Sequence, residues 1–150
     1  MRKASWQVAV SVAILLIFGL AAYVFRERFG MLPRQRTPHY YSSVEKARPM
    51  PTTLPPTAFQ DPRVARGYAI AKRIPEVLVQ QPSYCIVMRH HHSLLACFVT
   101  DDARHCQTCL KEAYLADELD RAGKTAAEIR ASIIAGEWRN ITLEGPAPQQ

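Results

Sequence analysis

Eighteen consecutive residues, Val8 to Phe25, carry no charge, and an apolar run of that length must be withdrawn from water into protein or lipid. With Trp6 and Gln7 it reaches about twenty residues, which as a helix rising 1.5 Å per residue matches a hydrocarbon core of roughly 30 Å. Trp6 and Tyr23 stand near its two ends, where amphipathic rings prefer the headgroup region, and Arg26 and Arg28 stop it. The sequence therefore predicts a single N-terminal transmembrane helix over residues 1–25. A cleaved signal peptide is the competing reading, with Arg2 and Lys3 as its positive start and Gly19-Leu20-Ala21 as a small-residue cut. The apolar run continues past that cut through Val24 and Phe25, so an uncleaved anchor is expected. The short N-terminal stub predicts a single-pass protein of the inner (cytoplasmic) membrane with a periplasmic C-terminal domain. The basic residues Arg26, Arg28, Arg34 and Arg36 on the far side argue for the opposite orientation.

Seven of the eleven prolines fall between Pro33 and Pro62, where neither helical nor strand periodicity is sustained. Residues 26–61 read as a proline-rich extended linker, able to reach up to roughly 100 Å at about 3.1 Å per residue. Only about ninety residues are left for a core, enough for one small domain. In that remainder, Val64, Tyr68, Ala71 and Ile74 recur at helical spacing after Pro62, and Pro75 interrupts them. A kinked or broken helix over residues 62–80 follows. Ser93 opens a short segment through Val99, and Asp101 or Asp102 caps a helix that ends before Gly123. Thr125 with Glu128 forms a capping box for a last helix ending near Gly136. The expected fold class is all-α: a membrane anchor, a linker, a cysteine-containing helical domain over residues 62–139 and a disordered tail over residues 140–150.

Charge narrows the partners. Residues 1–60 hold eight Lys/Arg against Glu27 and Glu45, whereas residues 61–150 hold eleven of each sign. The excess flanks the apolar run, where each basic residue near anionic lipid is worth about 1 kcal/mol, and it leaves no basic footprint for nucleic acid on the domain.

Chemistry rests on four cysteines. Cys106-Gln107-Thr108-Cys109 puts two sulfurs three residues apart at the start of a helix, whose positive end favours thiolates. Cys85 and Cys97 complete the set, and His91, His92 and His105 are additional candidate ligands for zinc or copper. The alternative is structural: four cysteines in a small exported domain make two disulfides, with three pairings allowed. Exposed carboxylates such as Asp117, Glu118 and Asp120 read as a solvated helix face. No nucleophile elbow, phosphate loop or carboxylate constellation is present, so no catalytic residue is expected.

From Gly67 to Trp138 the chain resembles a family of exported bacterial proteins, often lipoproteins, named for a Pro-Cys-Tyr-Cys-Gly-Cys motif. The resemblance is carried by residues 71–78 (Ala-Lys-Arg-Ile-Pro-Glu-Val-Leu), by Pro82-Ser83-Tyr84-Cys85 and by residues 92–98 (His-Ser-Leu-Leu-Ala-Cys-Phe). It continues through His105-Cys106-Gln107-Thr108-Cys109, then Gly123-Lys124-Thr125 and Glu128-Ile129-Arg130. It implies an exported helical domain with a cysteine cluster compatible with metal binding, and no assigned reaction. Ser83 and Val87 stand where the motif has its first and last cysteines, and the hydrophobic run replaces the lipid-bearing cysteine.

Two functional expectations follow. The first is a non-catalytic accessory subunit of a larger membrane protein complex, its extracytoplasmic domain stapled by disulfides, without a cofactor and partnered by membrane proteins. The second is an extracytoplasmic zinc- or copper-binding or thiol-redox domain built on the Cys/His cluster.

Overall fold

A computed structural model describes Val12, residues 14–21, Tyr23, residues 37–86 and residues 91–143. The chain divides into two units, Met1–Arg36 and Thr37–Gln150.

In the first unit the expected transmembrane helix is not supported. Among the described residues, no helix is long and apolar enough to cross a membrane. Run length, flanking rings and basic stops suggested a span, but a crossing needs one long apolar helix, and none of the described helices is one. The single-pass inner-membrane location, and with it the membrane-anchored description, loses its basis. Tyr23 is helical and exposed, while Trp6, Arg26 and Arg28 lie outside the described residues.

The second unit is helical, with no strand among the described residues. Helix α1, Pro62–Arg73, starts where Asp61 accepts from the Arg63 backbone N–H at 2.9 Å and Pro62 occupies the first turn, a position where its missing N–H costs nothing. It stops at Ile74, ahead of Pro75, and α2 (Pro75–Leu78) continues as a single turn. The expected break is therefore found. Two 3-10 helices, Leu94–Phe98 and Asp102–His105, lead into α3, Gln107–Arg121. The sequence placed the start of this helix at Asp101 or Asp102. Cys106 instead adopts extended backbone angles and becomes the N-cap of α3, separating the two helical pieces. Helix α4, Ala126–Ala135, carries the full Thr125/Glu128 capping box and ends at Gly136 in the left-handed region, where a side chain would be strained. A final 3-10 helix, Glu137–Asn140, folds back onto α3.

Helix α3 is the hub, packing against α1, α4 and the last 3-10 helix. Its apolar face meets Tyr68, Leu94, Leu95, Phe98, Ile129 and Ile133, all fully buried. Phe59 stacks on Tyr68 at 4.0 Å, and Tyr68 meets Phe98 edge-on at 5.2 Å. The buried Tyr68 hydroxyl donates to the Thr100 carbonyl at 2.7 Å, which satisfies it. Asp117 is not the solvated carboxylate expected: it is 2% exposed, bonded by Arg73 from α1 and by Arg121 at 3.1 Å. Its helix face is turned toward α1, which supplies the cation.

Residues 37–61, read as linker, lie along this unit. Tyr41 N–H donates to the Val79 carbonyl at 3.3 Å and Leu54 N–H to the Phe98 carbonyl at 3.0 Å. Ala47 is buried, and Met50, Leu54 and Phe59 pack against the core. Ile141 and Leu143 do the same at the other end; residues 144–150 of the expected tail lie outside the described residues.

Gly67 lets α1 approach Leu110 of α3 closely. A Cβ there would stand 2.5 Å from Leu110 Cδ2 and 3.5 Å from Phe98 Cε1. Gly67→Ala should overpack this contact at a cost of about 1–3 kcal/mol, offset by about 1 kcal/mol of helix propensity. A net loss of about 1 kcal/mol in urea unfolding is expected, and a more stable variant would contradict the packing described.

Candidate metal centre

Three pieces of chain converge at the N-terminal end of α3. The irregular segment after α2 carries Ser83 and Cys85, the first 3-10 helix carries Cys97, and the start of α3 carries Cys106 and Cys109. The Cys85, Cys106 and Cys109 sulfurs all lie within 4.8 Å of one another, with Cys106 Sγ 3.1 Å from Cys85 Sγ. Cys85, Cys97 and Cys109 are buried and Cys106 is partly exposed; all four are thiols. No disulfide joins any two of them.

The i, i+3 spacing explains the convergence. Cys106 caps α3, its sulfur accepting from the Cys109 backbone N–H at 3.5 Å, so both side chains turn to the same end of the helix. Ser83 lies among them: its hydroxyl is 3.5 Å from Cys97 Sγ and 3.8 Å from Cys109 Sγ. Ser83 thus places a hydroxyl oxygen among the sulfurs of the cluster. Val87 lies outside the described residues.

The local field distinguishes the thiols. Hydrogen bonding from Cys109 draws the Cys106 thiol down to about 5, against the opposing effect of burial, with the Cys109 backbone N–H and Cys85 adding to it. The same Cys109 contact brings Cys97 to about 7, helped by Ser83 and His91. Cys109, which supplies those contacts and is buried, is pushed up. The local field therefore favours the thiolate at Cys106, and a thiolate is the form that binds metal.

Glu112 was not foreseen. It is fully buried on α3, Oε1 accepting from the Tyr84 N–H at 2.8 Å and Oε2 lying 3.0 Å from the Ser83 hydroxyl. Burial pushes its carboxyl well above the ordinary value, against the pull of these two hydrogen bonds. The signal was present in the spacing: Cys106, Cys109 and Glu112 repeat every three residues along one helix face.

The histidines divide. His91 Nδ1 sits 3.3 Å from Cys97 Sγ, and its Nε2 faces Asp102 at 3.8 Å, an outer position that orients a sulfur. His92 packs against the rings of His39 and Tyr41, and His105 Nε2 meets the Arg104 guanidinium at 3.0 Å; neither joins the cluster. No family model, curated protein or solved structure matches the chain.

Proposed function

We propose that the helical unit is a module for binding a thiophilic metal ion, zinc or monovalent copper, through Cys85, Cys106 and Cys109. The observation that carries this reading is the convergence of three sulfurs within 4.8 Å from two distant pieces of chain. A tetrahedral ion with bonds of about 2.3 Å to sulfur separates its ligands by about 3.8 Å, so small side-chain rotations suffice. Cys97 is the fourth ligand, its sulfur adjoining Cys109 and aligned by the His91–Asp102 pair. That histidine's second nitrogen faces a carboxylate, as outer partners around metal ligands commonly do. Glu112 serves the centre indirectly, holding Ser83 and the Tyr84 backbone and so fixing the segment that delivers Cys85.

Metal analysis of protein purified under reducing conditions tests this reading. About one equivalent of zinc or copper is expected per chain. Cys106→Ser and Cys109→Ser should each weaken binding by more than the roughly 10–100-fold expected for an outer partner such as His91→Ala. Binding as tight as the parent's in both cysteine variants would sink the proposal.

A further inference from the structure

The four thiols differ in access as well as position. Cys97 and Cys109 are fully buried and Cys85 is 6% exposed, whereas Cys106 is the partly exposed member. A small oxidant arriving from solvent meets Cys106 first. Cys85 Sγ lies 3.1 Å from its sulfur. Closing that gap to a disulfide requires an approach to about 2.05 Å. Cys85 belongs to an irregular segment, residues 82–85, and is followed by the exposed Ile86, so it can turn without unwinding a helix. Cys109 is fixed within α3 and fully buried.

We propose that Cys106 and Cys85 form a peroxide-oxidisable pair whose closure into a disulfide discharges the bound metal. The inference rests on the metal-centre reading above and adds a release mechanism to it. In the first step the Cys106 thiolate attacks one oxygen of a hydroperoxide. The O–O bond breaks, the sulfur is oxidised to a sulfenic acid, and the departing hydroxide or alkoxide takes a proton from solvent. In the second step the Cys85 thiolate attacks the Cys106 sulfur. The S–O bond breaks, hydroxide leaves and is protonated to water, and the S–S bond forms. Two thiolates are oxidised and one peroxide is reduced. With hydrogen peroxide both oxygens leave as water. Two of the three converging ligands are lost in one event, and Cys109 with Cys97 is a poorer donor set for the ion.

The test uses the full chain, reduced, loaded with zinc and treated with hydrogen peroxide, while a chromogenic chelator follows release and tryptic peptides report the cross-link. The expected product joins peptide 74–89 to peptide 105–111, with fragmentation placing the link on Cys106, and one zinc appears per disulfide formed. In Cys85→Ser the second step is blocked, so a sulfenic acid should persist on Cys106 and be trapped by a 1,3-dicarbonyl reagent. Oxidation confined within peptide 105–111, or a first link through Cys97 in peptide 90–104, would overturn the assignment. So would zinc release without any disulfide. A reduced protein that takes up no zinc would instead contradict the metal reading and the discharge it implies, while the cross-link map would still decide the thiol pair.

Discussion

Glu112→Ala is expected to destabilise the fold by about 2–4 kcal/mol, because it strips the acceptor from the Tyr84 N–H and the Ser83 hydroxyl at about 1–3 kcal/mol for each buried donor left unmet. Glu112→Gln should stay within about 1 kcal/mol of the parent, since its carbonyl can still accept from Tyr84 and its amide can donate to Ser83. The two variants also separate shape from charge. Burial makes the folded chain hold the Glu112 proton more tightly than the unfolded chain does. Its contribution to stability is complete below the ordinary value of 4.5 and is lost as pH rises toward the raised folded value. Urea unfolding of metal-free, reduced protein from acid to neutral pH should therefore show parent stability falling relative to Glu112→Gln as pH rises. A constant difference between the two would show that the carboxyl is not perturbed.

Phe98→Ala is expected to cost about 3–5 kcal/mol. Phe98 is fully buried, meets Tyr68 edge-on and flanks the Gly67–Leu110 contact, so its loss opens a void between α1, α3 and the 3-10 helix that carries Cys97. A domain of about one hundred residues has only about 5–15 kcal/mol in hand, and a single transition shifted well down in temperature should result. A change under about 1 kcal/mol would mean that the core does not close over this ring.

Local signals carried much of the helical unit. Pro62 after Asp61, the interruption at Pro75 and the Thr125/Glu128 box each act within one or two turns, and each marks a real element boundary. The C-x-x-C pair was legible for the same reason. What escaped the sequence depends on tertiary partners. A proline-rich composition predicts extended chain, but it is silent on whether Tyr41, Leu54 and Phe59 find a surface to cover. Asp117 read as solvated because its cation, Arg73, comes from a helix more than forty residues earlier. Glu112 was obscured by its charge, although its spacing from Cys106 and Cys109 placed it on the buried face. The apolar run from Val8 to Phe25 shows the opposite error: hydropathy measures composition, and no described helix there has the length a crossing requires.

The convergence of Cys85, Cys106 and Cys109 on one ion is the claim on which the functional account depends. X-ray absorption at the metal edge of the zinc- or copper-loaded, reduced full chain measures it directly. The account predicts a first shell dominated by three or four sulfurs, at about 2.3 Å for zinc, reduced by one sulfur in Cys85→Ser. A shell of nitrogen and oxygen alone, or one unchanged by that substitution, would contradict it.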